Sequence, residues 1–344
     1  DSDEYLEIVV GGFNTGVSST NKLFAINHDG TDVVGFPITV GEKIKSGVAL
    51  YDFDDNGYDD IIFGTESDNL YLILDSGFIK DGFPIDLNDK IQVEPSIMIN
   101  GLSKDILVGS KEGIFYSISK DGDINFSVET DGDICTSASF LNSSNGIMIF
   151  FASEDGYIYS VNSSGELYDG WPVNVGGEAI GSITFGDIDG DGISEVVASV
   201  NSQVMIYHQD GSNFVYESII HELPLSSAPT VVDLNQDGNI EVIVGTGTNL
   251  SSIDFKFESI EIPSWSMHRG DYRRSGVFLA SDNAQIGDIN MDSQIDILDI
   301  VVIVNFALGE SVPSSNEFIY SDLNSDGQID ILDVVLIVNI ILNY

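Results

Sequence analysis

The chain of 344 residues has room for one large domain and one small one, and with 42% apolar residues it is not a disordered acidic tail. Its 56 Asp and Glu stand against 12 Lys and Arg, and a formal charge of −44 argues against binding to nucleic acid or to an anionic membrane. An acidic, solubilising surface explains part of this excess. It does not explain why so many Asp residues stand at regular spacing.

Residues 1–280 repeat an acidic loop that is followed by an apolar run, and such a run predicts a buried strand. The acids that end the loops are 53, 45, 90 and 46 residues apart, and 90 is two periods. These acids are Glu7, Asp60, Asp105, Glu195 and Glu241. A second strand is predicted after each run, and Gly-Phe-Pro or Gly-Trp-Pro starts a further short one at residues 35, 82 and 170. The pattern predicts an all-β, six-bladed β-propeller with four-stranded antiparallel blades.

Three of these loops carry oxygen-bearing side chains at positions 1, 3, 5 and 9, with Gly after position 5. A tight turn can gather them, with the backbone carbonyl of position 7, around Ca²⁺, which takes about six to eight oxygen ligands. The predicted ligands are Asp52, Asp54, Asn56, Tyr58 and Asp60; Asp187, Asp189, Asp191, Ile193 and Glu195; and Asp233, Asn235, Asp237, Asn239 and Glu241. Each loop is predicted to join the first strand of a blade to the second. The third and fourth units lack most of these acids, and no metal is predicted there.

The repeated unit resembles the FG-GAP/VCBS family of β-propellers, and the likeness covers residues 1 to about 262. The first unit departs from the pattern because its opening strand is missing. Residues 275–280 are predicted to supply that strand from the far end and so to close the ring. The alternative is that a neighbouring molecule or an upstream sequence supplies it, since the pattern is already under way at residue 1.

All three Arg residues of the chain fall within residues 263–274. Because Arg forms forked pairs with carboxylates, this segment is predicted to lie as a latch across the acidic propeller. It resembles the Trp-x-x-x-Arg-Gly-Asp segment beside the closing blade of related propellers. The Arg269-Gly270-Asp271 triplet also suggests integrin binding, which is the weaker interpretation.

The composition changes after residue 280, where 64 residues contain 11 acids and no Lys or Arg. Two loops stand 34 residues apart and carry the ligand set of an EF-hand at positions 1, 3, 5, 7 and 12. The predicted ligands are Asp288, Asn290, Asp292, Gln294 and Asp299, and Asp322, Asn324, Asp326, Gln328 and Asp333. Together with the propeller loops they make about five predicted calcium sites. Ser293 replaces the loop Gly, so the first of these two sites is predicted to be weaker.

Position 12 is Asp rather than Glu, and only the exiting helix is predicted for each loop. This combination resembles a type I dockerin over residues 281–344. The hexapeptide Gln-Ile-Asp-Ile-Leu-Asp occurs in both repeats, and in dockerins this symmetry implies that either repeat can present the same face to a cohesin partner. Dockerins usually carry Lys or Arg on these helices and this sequence has none, so a second copy of the chain is the alternative partner.

The exiting helices are apolar on nearly every side, and ten of the twelve residues 297–308 are apolar. A helix pair of this size cannot hide so much apolar surface, so a protein partner or the chain's own propeller is expected to cover it. The predicted partner-binding residues are Ile297, Leu298, Val301, Val302, Ile331, Leu332, Val335 and Leu336.

The hypothesis is an extracellular, calcium-binding, non-enzymatic propeller with a dockerin-like module, used for adhesion or for assembly into a scaffold or filament. Cys135 is the only cysteine, so no internal disulfide is possible, and calcium is abundant outside cells. No run of 18 apolar residues predicts a transmembrane helix. The alternative is a polysaccharide-active enzyme or carbohydrate-binding module that a dockerin tethers to a scaffold. The four His are scattered, and no catalytic constellation stands out.

Overall fold

The computed structural model describes residues 6–14, 16, 20–100, 103–144, 146–214, 219–220, 223–258, 265–279, 287, 289–290, 295–311, 313, 315–324 and 327–343. Within these residues the chain forms six β-sheets, which follow one another along the sequence, and then three helices. The repeat places Asp1 and Asp3 at positions 3 and 5 of an incomplete first loop, and both residues lie outside the described residues.

The first three sheets contain β1 (Ile8–Gly11), β2 (Lys22–Ile26) and β3 (Ile38–Thr39); β4 (Ala49–Tyr51), β5 (Asp60–Gly64), β6 (Asn69–Ile73) and β7 (Ile85–Asp86); and β8 (Ser96–Asn100), β9 (Ser103–Gly109), β10 (Ile114–Ser119) and β11 (Ile124–Glu129). The next three contain β12 (Ser139–Ser143), β13 (Gly146–Ala152), β14 (Tyr157–Val161) and β15 (Val173–Asn174); β16 (Thr184–Gly186), β17 (Glu195–Val200), β18 (Gln203–Tyr207) and β19 (Ile219–Ile220); and β20 (Thr230–Val232), β21 (Asn239–Gly245) and β22 (Leu250–Glu258). Strand β23 (Val277–Leu279) comes later in the chain and joins the third sheet. The helices are α1 (Ile297–Ala307), α2 (Ser315–Ser321) and α3 (Ile331–Asn343).

Apart from β23, each sheet is an antiparallel meander, in which successive strands along the chain pair with one another. The register of the second sheet is typical: Ala49 lies opposite Ile62, and Ile62 lies opposite Leu72. The apolar run after each acidic loop and the strand predicted to follow it are therefore both confirmed, as the second and third strands of a sheet in most units. Several sheets have the expected four strands. The second strands are the most deeply buried, and every residue of β17 is buried. This agrees with the apolar runs that predicted them.

Apolar side chains fill the space between one sheet and the next along the chain. One core cluster lies between the first and second sheets, another between the second and third, a third spans the third to the fifth, and a fourth joins the fifth to the sixth. Stacking of antiparallel sheets face to face in sequence order is a propeller-like arrangement.

Glycine at the end of a second strand lets the following sheet approach closely. A Cβ at Gly64 would lie 2.1 Å from Cγ2 of Ile91, and a Cβ at Gly109 would lie 2.2 Å from Cγ2 of Ile134. Any larger residue would push the isoleucine of the connecting segment out of the core. The same relation between two sheets recurs, so these glycines set the spacing of the stack.

Residues 265–279, which we call the central segment, contact the first strands of five sheets. The backbone N–H groups of Ile97, Phe185 and Val231 donate hydrogen bonds to carbonyls of this segment at 2.7, 3.1 and 2.7 Å. Arg269 Nη2 donates to the Val48 carbonyl, next to β4, at 3.3 Å. The ring of Phe278 stacks on Phe140 of β12 with centroids 4.9 Å apart. The inner edges of the second to sixth sheets therefore converge on one piece of chain.

Two predictions about this segment are wrong. Strand β23 does not complete the first sheet; it pairs in parallel with β8 of the third sheet, with Val277 opposite Ile97. The latch does not lie across an acidic surface either, because Arg269 is buried and donates to the carbonyls of Val48, Arg274 and Ser275 rather than to carboxylates. Carbonyl oxygens accept from Nε and Nη2 of this buried guanidinium, and its burial removes the arginine of the Arg-Gly-Asp triplet from contact with a receptor.

The C-terminal residues form a small helical unit with its own core. Helices α1 and α3 pack together around Ile289, Ile303, Tyr320 and Ile337, which are buried. Asp296 caps α1, since its side chain accepts a hydrogen bond from the Leu298 N–H at 2.7 Å. Helix α2 precedes the second loop and was not predicted; its seven residues show no apolar repeat that would reveal it in the sequence.

Candidate calcium loops and docking face

The three acidic loops of the β region each connect the first strand of a sheet to the second, as predicted. They join β4 to β5, β16 to β17, and β20 to β21. At position 6, Gly57, Gly192 and Gly238 have φ values of 88°, 84° and 87°. This is the left-handed conformation that glycine adopts without strain, so the predicted sharp turn is present in all three loops.

The acids at positions 1 and 9 hold each loop together through backbone hydrogen bonds. The carboxylate at position 9 accepts from the N–H of position 2: Asp60 from Phe53 at 2.9 Å, Glu195 from Ile188 at 2.8 Å and Glu241 from Leu234 at 2.8 Å. The carboxylate at position 1 accepts from the N–H of the loop glycine: Asp52 at 2.7 Å, Asp187 at 3.1 Å and Asp233 at 2.9 Å. The loops are thereby shaped by their own acids.

Carboxylate oxygens converge at two of these loops. One oxygen from each of Asp52, Asp54 and Asp60 lies within 4.8 Å of the others, and the same holds for Asp187, Asp189 and Glu195. These are positions 1, 3 and 9 in both cases. Like charges at this separation repel one another strongly unless a cation lies between them. The donor set consists of oxygen atoms alone, which fits calcium.

The acid at position 9 has a perturbed protonation equilibrium. Burial raises the pKa of Asp60 to about 7, and the nearby charges of Asp54 and Asp52 raise it further. Burial likewise raises the pKa of Glu195 to about 8, with contributions from the other acids of its loop. A buried carboxylate among like charges favours its neutral form, and a bound divalent cation would reverse that preference.

The loop of the sixth sheet has the same backbone bonds but carries Asn235 at position 3, so its third ligand is an amide oxygen. At position 5, the side chains of Asn56, Asp191 and Asp237 accept from the N–H of position 7 at 2.8, 2.7 and 2.9 Å. These bonds hold position 5 next to position 7. At position 7 itself, Tyr58 and Ile193 expose their side chains, which accords with a ligand role for the backbone alone, and Asn239 is half-buried.

Two basic residues at these loops were not predicted. Lys104 Nζ, almost fully buried, donates to the Asp52 carbonyl at 2.8 Å and to Asp55 Oδ1 at 2.5 Å. It comes from the third sheet, at the place where the third unit has lost its own acidic loop. His208 Nδ1 lies 3.4 Å from Glu195 Oε1. Spacing within one loop gives no signal for either residue, because both come from other strands.

The two C-terminal loops are closed by the acid at position 12. Asp299 and Asp333 are fully buried. Asp299 Oδ1 accepts from the Asn290 N–H at 3.0 Å, and Asp333 Oδ1 accepts from the Asn324 N–H at 3.2 Å. In the second loop, Asp322 also accepts from the N–H of the loop glycine at 2.8 Å. The second loop also includes Gln328, and the remaining predicted ligands, Asp288, Asp292, Gln294 and Asp326, lie outside the described residues.

Most of the predicted partner-binding side chains are exposed. They are Ile297, Leu298, Val301, Ile331, Leu332, Val335 and Leu336. Val302 differs from them, since it is half-buried and packs against the core of the helical unit, and its assignment to the docking face stays a prediction. In the described part of the chain, the helices are too short to cross a membrane.

Models of known families match one stretch in each region. The model of the type I dockerin domain matches residues 286–342, and that of the FG-GAP-like repeat matches residues 187–244. The chain carries a type I dockerin domain and an FG-GAP-like repeat. Type I dockerin domains bind cohesins, and proteins that contain them are typically extracellular or attached to the cell surface. No curated protein sequence matches the chain.

Solved structures resemble the chain in fold alone. The Sqt1 protein of Saccharomyces cerevisiae is 14% identical with a TM-score of 0.54, over 72% of this chain and 68% of its own. The BBS1N structure, solved in complex with ARL6DN, is 10% identical with a TM-score of 0.51, over 74% of this chain and 77% of its own. The match to a propeller-like structure across most of the chain agrees with the stacked sheets.

The dockerin domain contacts the central segment through α2 and its second loop. The guanidinium of Arg273 lies over the ring of Phe318, 3.7 Å from its centroid. A Cβ at Gly327 would lie 2.8 Å from the hydroxyl of Tyr272, and Leu279 packs against the dockerin core. The contact uses neither of the exposed apolar faces of α1 and α3. The domain therefore rests on the chain's own β region with those faces outward.

Proposed function

We propose that the protein is an extracellular, calcium-stabilised, non-enzymatic six-bladed β-propeller, residues 1–280, whose dockerin domain, residues 281–344, binds a protein partner for assembly or adhesion. The observation that carries this proposal is the outward apolar face of α1 and α3, which the contact with the β region leaves open. A cohesin-type domain is the first partner we propose, and a second copy of the chain in a head-to-tail contact is the other.

The two helices offer nearly the same surface. Leu298 and Leu332 are 54% and 55% exposed, and Val301 and Val335 are 54% and 51% exposed. Both pairs are 34 residues apart, the spacing of the two repeats. Burying half-exposed side chains of this size stabilises a complex by on the order of 1 kcal/mol each. A partner that covers one helix therefore finds an equivalent site on the other.

Six blades are supported by the six sheets and by the way first strands converge on the central segment. Five of the six inner strands meet the central segment, and this shared contact holds the second to sixth sheets around one axis. The boundary near residue 280 is supported by the end of β23 at Leu279, beyond which the described residues belong to the dockerin domain.

Calcium is proposed at three propeller loops and two dockerin loops. The buried acids Asp60, Glu195, Asp299 and Asp333 support it, because each closes a loop of oxygen donors from the inside. Each occupied site adds RT ln(1 + [L]/Kd) to the free energy of unfolding, about 2.7 kcal/mol when calcium is in hundredfold excess over Kd.

A non-enzymatic role is supported by the burial of a Ser–His pair that lies at hydrogen-bonding distance in the described residues. Ser182 Oγ lies 2.8 Å from His268 Nδ1, but Ser182 is only 1% exposed, so its hydroxyl is out of reach of a substrate. Turnover of any member of a polysaccharide panel by the calcium-loaded protein would overturn this part of the proposal.

The docking proposal is tested with the double variant Leu298→Asp, Leu332→Asp. Calcium-loaded wild-type protein is expected to form a complex with a type I cohesin, or assemblies of itself, in size-exclusion chromatography with light scattering and in negative-stain images. The double variant is expected to lose either product, whereas Val34→Asp, which changes an apolar residue 90% exposed on the β region, is expected to keep it. A wild-type protein that stays monomeric and binds no cohesin contradicts the proposal.

A further inference from the structure

A pocket of about 380 Å³ opens between the fifth and sixth sheets, beside the central segment. Its walls come from the connections that lead into β16 and β20, from β21 and the start of β22, and from two residues of the central segment, His268 and Arg274. The size is that of a site for one small molecule.

The charge of this pocket is opposite to that of the protein as a whole. None of the described residues that line it is acidic, although the chain has 56 acids, and Arg274 gives it a positive charge, which the nearby carboxylate of Glu94 partly offsets at His268. The calcium loops lie at the other end of the same strands: Gly181 precedes β16 and Asp187 follows it. Six residues of extended chain span about 20 Å, which is more than twice the screening length of about 8 Å at physiological salt.

The backbone of Arg274 is held in an unfavourable conformation. Seven described residues other than glycine have positive φ; five are Asp, Asn or Gln, and the others are Arg269 at 61° and Arg274 at 56°. Asp271 imposes this conformation on Arg274, because its carbonyl accepts from the Arg274 N–H at 3.0 Å and its carboxylate accepts from the Ser275 N–H at 3.0 Å. A glycine at residue 274 would fit this turn without strain.

Arg269 has a structural reason to occupy its strained position, because its side chain donates hydrogen bonds to three carbonyls in the centre of the sheets. Arg274 has no such role: its guanidinium is exposed and forms no hydrogen bond or ion pair with another described residue. A strained residue whose side chain lines a pocket and has no internal partner points to a ligand.

We propose that this pocket binds a small hydroxylated carboxylate, such as a hexuronic acid, with Arg274 as the residue that pairs with the carboxylate. A guanidinium presents a fork of N–H donors that matches a carboxylate. The hydroxyls of Ser226, Ser227 and Thr230 line the same pocket and suit the hydroxyl groups of the ligand. Ser227 Oγ already accepts from the Gly245 N–H at 2.8 Å, so its own proton is available to donate.

The test is isothermal titration of the calcium-loaded full chain with galacturonate and, as the neutral match, galactose. Wild-type protein is expected to bind galacturonate at least tenfold more tightly than galactose. Arg274→Gln is expected to remove this tenfold preference, and Arg273→Gln is the control, since it removes the same charge one residue away, from an arginine that stacks on Phe318. Oligogalacturonate that binds no tighter per chain than the monomer indicates recognition of a chain end or a free sugar acid; affinity that grows with length indicates several subsites.

Arg274→Gly separates a ligand role from a structural one. Because glycine relieves the positive φ, this variant is expected to keep or raise the melting temperature while losing galacturonate binding. A lower melting temperature with unchanged binding would mean that Arg274 serves the fold. The proposal is also overturned if wild-type protein fails to bind galacturonate at 10 mM, or if the variants at residues 273 and 274 lose binding equally.

Discussion

Removal of calcium is expected to reverse the pH dependence of stability. In the metal-free protein the raised pKa of Asp60 and of Glu195 means that the folded state binds protons that the unfolded state has already released above pH 5. The stability from these protons is fully present below pH 4 and is lost as the pH rises to about 7 for Asp60 and about 8 for Glu195. Calcium binds the deprotonated carboxylates, so its contribution grows over the same interval.

The magnitude follows from the two pKa values. The pKa of Asp60 lies about two pH units above pH 5, and that of Glu195 about three. The free energy of unfolding falls by about 1.4 kcal/mol per pH unit for each group over these intervals. The metal-free protein is thus expected to lose on the order of 7 kcal/mol between pH 5 and pH 8. Differential scanning calorimetry in EDTA and in 5 mM calcium, at pH 5 and pH 8, measures both trends.

General repulsion among the acids also lowers stability as the pH rises, so the test needs variants. Asp60→Asn with Glu195→Gln removes the two titrations and is expected to flatten the slope in EDTA. Asp169→Asn, at an exposed acid, is expected to leave the slope unchanged. A metal-free protein whose melting temperature is equal at pH 5 and pH 8, or a double variant with the wild-type slope, would refute the reasoning.

Further predictions concern the central segment, the loops and the docking face. Arg269→Met leaves three carbonyls without their donor and is expected to destabilise the protein by several kcal/mol in urea unfolding, whereas Arg273→Met, exposed, is expected to cost less than 1 kcal/mol. Gly192→Ala adds a Cβ to a residue whose φ is 84°, a conformation that is strained for alanine. In a calcium titration this variant is expected to bind calcium about tenfold more weakly at that loop, while calcium affinity at the Asp52 loop stays unchanged. Leu298→Asp alone is expected to retain partner binding in light scattering, because Leu332 offers the equivalent face, and loss of all binding in the single variant would rule out two interchangeable faces.

The local sequence pattern of acidic loops and apolar runs predicted the positions of most strands and loops. Period and spacing act within a few residues, so the loop from Asp187 to Glu195 and the buried strand after it were predictable. The predictions that were wrong depend on partners that are distant in sequence. A short apolar strand such as β23 suits many sheet edges, and nothing in Val277–Leu279 encodes a parallel partner at Ile97 rather than a place in the first sheet.

Side-chain partners across sheets were equally hidden. Lys104 belongs to a unit without a complete acidic loop, yet its amine reaches the loop of the preceding sheet. Val302 stands one residue from an exposed valine, and the rotation of the helix leaves it half-buried against the core. The composition of α1 indicated an apolar face without indicating which side faces outward, because apolar residues surround the helix.

The junction between β23 and the dockerin domain has a mechanical consequence. A partner that pulls on the dockerin domain loads β23, the last described strand before that domain. A pull along β23 would strain its hydrogen bonds to β8 together instead of opening them one at a time. The load on β23 then passes to the central segment, whose contacts distribute it over five sheets.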